Sequence, residues 1–102
     1  MSFQSDMEAG MQRMMHGMHV RYSGDPDVDF LAMMIPHHEG AVEMARLALV
    51  HGRDPATRRL AEDIIASQTV EIAAMKNRLA ILKGEKKNAE PGFPELGGTR
   101  GR

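Results

Sequence analysis

Two Asp-Pro steps, Asp25-Pro26 and Asp54-Pro55, constrain what this chain can fold into more than any other feature. Each places a carboxylate that can accept the first free N–H groups of a helix directly before a proline, whose missing N–H costs nothing at the first helical position. Gly52 and Gly84 supply matching stops. Asp27 and Asp29 add negative charge to a first turn, where the helix dipole favours it. The β-branched alternation of strands is absent. The punctuation predicts helices over residues 5–21, 26–51 and 55–83. Joined by short turns, they make an all-α fold: a small antiparallel bundle of three main helices.

The chain has 102 residues, the size of one small domain, and the helical pattern assigns that domain to residues 1–83. Beyond it, residues 84–102 carry Pro91-Gly92-Phe93-Pro94 and Gly97-Gly98, a composition that cannot bury a core and reads as a flexible tail. Net charge is −1 with no long basic run, and three Phe, one Tyr and no Trp leave little to stack on bases. Both features argue against nucleic acid. No run approaches the roughly 18 to 20 apolar residues that span a bilayer. The opening Met1-Ser2-Phe3-Gln4-Ser5-Asp6 lacks the basic-then-apolar order of a signal peptide. That leaves two compartments open: cytoplasmic, or periplasmic or exported with a leader removed.

Cysteine is absent while ten residues are Met. Disulfides and thiolate sites are excluded, and a thiol-free chain suits an oxidising compartment. The catalytic patterns that the histidines invite also fail. His38-Glu39-Gly40-Ala41-Val42 has no second histidine where a zincin motif needs one. No Glu is followed by His three residues later, as a di-iron carboxylate bundle requires. Without Cys, and with no Ser flanking a histidine helix face, a nucleophilic triad lacks its parts. The chain is therefore not expected to be an enzyme.

What remains is soft-donor chemistry. Thioethers and imidazoles together suit copper without thiols, and the run Met34-Ile35-Pro36-His37-His38 sets both donor types side by side. Helix 2 gathers Met34, His37, His38, Ala41, Met44, Ala45 and Ala48 within an arc of roughly 120°, taken as its inward face. Helix 1 carries Met7, Met11, Met14 and Met18 at helical spacing, with Met15 at the edge. Helix 3 carries a seam of Ile65, Gln68, Ile72, Met75, Leu79 and Leu82. Pro36 should kink helix 2 and free a carbonyl near Ala32.

Antiparallel neighbours with short turns set Met11 and Met14 level with Met34 and His37, and Gln68 and Glu71 opposite His37 and His38. A mid-bundle site then takes Met11, Met14, Met34 and one or both histidines as ligands, with Gln68 or Glu71 orienting an imidazole. Met18 and Met75 fall one turn further on as a second thioether cluster. His37 and Met44, about 10.5 Å apart along the axis, belong to different clusters. His19 is a candidate ligand at the flank, His16 a solvated residue, and His51 a helix-end cation. A methionine stripe is more often plain core. Helix 1, however, uses almost no Leu, Ile or Val, which a core chosen for packing alone would favour.

Asp27-Val28-Asp29-Phe30, Met34-Ile35-Pro36-His37-His38, Gly40-Ala41, Met44-Ala45, Leu60-Ala61, Ile64-Ile65, Gln68, Glu71-Ile72 and Met75 resemble the signature of the domain-of-unknown-function 305 family, over about Gly24 to Leu82. The resemblance implies a ferritin-like helical architecture and copper binding in copper tolerance. It further implies a periplasmic or cell-surface setting, and Met34, His37, His38, Met44 and Met75 as ligands. The expectation is a copper-binding protein that sequesters Cu(I), with Ag(I) or Cu(II) as further ions, or hands it to a copper-transfer partner. Self-association should help to cover helix 3. The competing expectation is a Met-rich protein-interaction module without a metal.

Overall fold

The structure, a computed structural model, describes residues 2–19 and 21–88, with side chains as far as Glu85. It consists of α1 (Phe3–Met18), α2 (Pro26–His51) and α3 (Pro55–Asn88). Residues 89–102 of the expected tail lie outside the described residues.

α2 begins and ends where the punctuation places it. Asp25 Oδ1 accepts the N–H groups of Asp27 at 3.0 Å and Val28 at 3.4 Å, and Gly24 before it takes φ +93°, which favours glycine. At the far end Gly52 donates its N–H to Ala48 O at 2.7 Å. A Cβ on Gly52 would meet that oxygen at 2.5 Å, so this stop depends on close approach and not on a left-handed turn. Arg58 adds hydrogen bonds to the carbonyls of Leu49 and Gly52, closing α2 from the next helix. α2 runs unbroken through Pro36.

α3 also begins at the expected Pro55, and the remaining boundaries move. α1 starts at Phe3 because Ser2 caps it, accepting Ser5 N–H at 3.0 Å. It stops at Met18, three residues before the expected end. α3 continues through Gly84, where an exposed glycine costs about 1 kcal/mol and does not end a long helix. At the start of α3, Asp54 accepts the backbone N–H of Thr57 at 2.9 Å and its hydroxyl at 2.7 Å. Those hydrogen bonds, the hydroxyl's first, hold its carboxyl below the usual carboxylate range. A depressed carboxyl stabilises the fold above its unfolded pKa and loses that contribution as pH falls through the folded value. Asp54→Ala should therefore lower the thermal midpoint at pH 7, and the gap from wild type should close in strongly acidic buffer. A gap that persists there would show that the carboxylate is not responsible.

α2 packs against both α1 and α3, while among the described residues the backbones of α1 and α3 do not approach each other. Glycines set the first contact. A Cβ on Gly40 would stand 2.5 Å from Met14 Sδ and 2.9 Å from Met14 Cβ, and one on Gly17 would stand 2.8 Å from Pro36 Cβ. Gly10 likewise lies against Glu43. This contact uses the Pro36, Gly40 and Glu43 side of α2. The α3 contact uses the roughly opposite side, where Val28, Leu31, Val42 and Ala45 are buried. Among the described residues of α3, Ala61 is the one buried apolar residue, and the predicted seam of Ile65, Gln68, Ile72, Met75, Leu79 and Leu82 is half-buried throughout.

The three helices thus lie side by side with α2 in the middle. The arc of α2 taken as inward is rotated by about a quarter turn from the buried strip, so the Met34 to Ala48 arc lines an open side. Helical periodicity identified the arc, but not which of its neighbours a helix would cover.

Candidate metal site

Two ion pairs show which way each face of this layer points. Arg13 pairs with Glu43 on one flank of the α1–α2 contact, and Lys76 pairs with Glu39 at 3.0 Å on the same flank of the α2–α3 contact. Glu39 and Glu43 line a groove there with Val42, Arg46, Thr69 and Ile72. By helical geometry the opposite face takes Met7, Met11 and Met18 from α1, Met34, His37 and Met44 from α2, and Glu71 and Met75 from α3. Donors are concentrated on one broad surface. Their own side chains, apart from the exposed Met11, His37 and Glu71, are half-buried.

The levels along that surface differ from the expected ones. Gly10 against Glu43, Met14 against Gly40 and Gly17 against Pro36 fix the antiparallel register. They set Met18, not Met11 or Met14, level with Met34 and His37, while Met11 falls level with Met44. Met14 is spent on packing against Gly40. On the other side, His38 Nε2 lies 2.9 Å from Glu71 Oε1, which sets Met75 level with Met34. One level therefore holds Met18, Met34, His37 and Met75. A second, about 10.5 Å away, holds Met11 and Met44. Because α1 and α3 do not touch, Met11 and Met14 do not meet Gln68 and Glu71 in a closed mid-bundle site.

The paired histidines face different surroundings. His38 Nδ1 lies 3.0 Å from Met34 O, and with Nε2 at Glu71 the ring is fixed between two helices. Glu71, one of the two residues expected to meet an imidazole, thus contacts that of His38. Both ring nitrogens of His38 have protein partners, so an ion at Nε2 must displace or share the carboxylate. His37 is exposed, with its ring 5.9 Å from that of His38. It is the more accessible imidazole. His19 caps the end of α1 and is exposed, one residue beyond Met18. His51 sits 3.4 Å from Asp6 and edge-on to Phe3, a contact that ties the start of α1 to the end of α2. Among the described residues no three His, Asp or Glu side chains gather around one point. A metal site on this face would have to rest on thioethers with one or two imidazoles.

Gln68 Oε1 is buried without a hydrogen bond from the protein. It faces α2 from the seam. An acceptor left unpaired on burial costs about 1 to 3 kcal/mol, so Gln68→Met should raise stability by about 1 kcal/mol in urea unfolding of the metal-free chain. A less stable variant would show that the amide is held by interactions worth more than this penalty.

Glycine was the signal that donor counting missed. Gly10 and Gly17 lie seven apart inside a helix, and Gly40 lies inside another. Helix-interior glycines cost stability unless something approaches closely, and that approach sets the register.

The profile of the family described as Domain of unknown function (DUF305) matches residues 1–79. An uncharacterized protein, L153, of Acanthamoeba polyphaga mimivirus is 42% identical over 53 residues, which is 52% of this chain and 35% of that protein. The matched stretch thus spans about a third of the length of that relative.

Proposed function

The chain belongs to the DUF305 family, whose description leaves function open, and from the geometry of the open face we propose that it binds Cu(I) through thioethers and imidazole. It sequesters the ion or passes it to a transfer partner without catalysing a reaction. One feature carries this reading: the glycine contacts and the His38–Glu71 pair set Met18, Met34, His37 and Met75 at one level along the helices, with His37 exposed and the three thioethers half-buried. Soft thioethers favour Cu(I) over harder ions, and imidazole accepts either copper oxidation state. Ag(I), which shares that softness, should compete. The absence of thiols suits a periplasmic or exported setting, where free thiols do not persist.

Among the described residues, no helix is long and apolar enough to cross a membrane. The same open face would also suit a Met-rich module that docks a partner helix. An anaerobic titration of Cu(I) against a chromophoric chelator separates the two. The copper reading requires stoichiometric withdrawal of the ion from the chelator. No withdrawal would leave the interaction module.

A further inference from the structure

The donor face is one half of an interface. Resting on the copper reading, we infer that a second copy of this chain closes the face, and that each ion is held by His37 of one copy and Met44 of the other.

Area comes first. The 26 residues of α2 span about 39 Å, and three helices side by side about 28 Å, so the face offers on the order of 1,000 Å². A stable pair needs about 800 Å² from each partner. Phe30 and Ile64 lie on this side and are 60% and 41% exposed, so apolar surface is available to bury. Charge also permits it. Glu71, a carboxylate on the face, is met by His38, whereas the opposite face would have to desolvate Arg13, Glu43, Glu39 and Lys76.

The spacing is self-complementary. His37 and Met44 lie on one strip of α2, about 10.5 Å apart, too far for a single ion within one chain. A two-fold axis at the level of Ala41, midway between them, sets the partner's Met44 opposite His37 and the reverse. Ala41 keeps the crossing open because its side chain is a single methyl. Met34 and Met18 are level with His37, and the partner's Met11 arrives with the partner's Met44. The first set lacks a partner within the chain, and the second supplies it. Such an isologous contact is the commonest way two identical chains associate.

Sedimentation of the full chain, with and without Cu(I) under anaerobic conditions, should show a dimer that copper tightens. By linkage, copper affinity should rise with protein concentration by the same factor. Phe30→Glu and Ile64→Glu should be monomeric and bind Cu(I) about tenfold more weakly or worse, with helix content unchanged. Val70→Glu, on the back of α3 and 69% exposed, should behave as wild type.

Mixing provides the sharper test. His37→Gln and Met44→Leu should each lose tight binding, yet an equal mixture should recover about a quarter of the wild-type sites, because half the dimers carry one intact pair. A chain that stays monomeric while binding Cu(I) stoichiometrically overturns this inference and leaves the proposed function standing. No recovery on mixing, or a dimer indifferent to Phe30→Glu and Ile64→Glu, also overturns it. Absence of Cu(I) binding in any state removes both.

Discussion

A chain carrying Met34→Leu, His37→Gln and Met44→Leu together should bind Cu(I) at least about 100-fold more weakly than wild type, because altering even the groups that orient ligands costs 10- to 100-fold. All three positions lie on the open side of α2, outside the buried strip of Val28, Leu31, Val42 and Ala45. Met-to-Leu exchange conserves volume and typically costs less than about 1.5 kcal/mol, and His37 is exposed. Helix content and unfolding midpoint should therefore barely move. Competition against a chromophoric chelator reads the affinity, and circular dichroism reads the fold. Unchanged affinity in a folded variant would remove thioether and imidazole chemistry from the account.

Gly40→Val should detach α1. A Cβ there would stand 2.5 Å from Met14 Sδ, 2.7 Å from its Cγ and 2.9 Å from its Cβ. The near end of Met14 is involved as well as its flexible tip, so rotating the side chain does not clear the space and the helices must separate. Overpacking of this kind costs about 1 to 3 kcal/mol, and the better helix propensity of Val over Gly returns only a few tenths. A net loss of about 2 kcal/mol is expected in urea unfolding. Amide exchange should rise in Phe3–Met18 before it rises in α3, since α1 and α3 share no contact. Adding Met14→Ala should recover part of the loss, giving a favourable coupling in the double-mutant cycle. A Gly40→Val chain as stable as wild type, with α1 still protected, would contradict the register on which the site levels depend.

The sequence made some parts of this fold legible and left others hidden. Both ends of α2 follow from Asp25-Pro26 and Gly52, because a cap and a stop act within a few residues of themselves. The half-buried seam of α3 was readable for the same reason: a three-four spacing needs no knowledge of its partner. Legibility ended where a feature depended on two helices at once. The arc from Met34 to Ala48 was identified as a face, yet nothing in its own spacing told whether α1 or α3 would cover it. Turn lengths suggested that Met14 would stand level with Met34, whereas Gly10, Gly17 and Gly40 shift the register by more than a helical turn. Of the candidate site, the contact between Glu71 and an imidazole was foreseeable. The open face was not, since it results from α1 and α3 choosing opposite sides of α2.

X-ray absorption at the copper edge of the Cu(I)-loaded, oxygen-free protein tests the central claim most directly. A shell of thioether sulfurs with at least one imidazole nitrogen, losing its nitrogen in His37→Gln, is the result expected from the Met18, Met34, His37 and Met75 level. A shell of oxygen alone, or a nitrogen signal indifferent to His37→Gln, would contradict it.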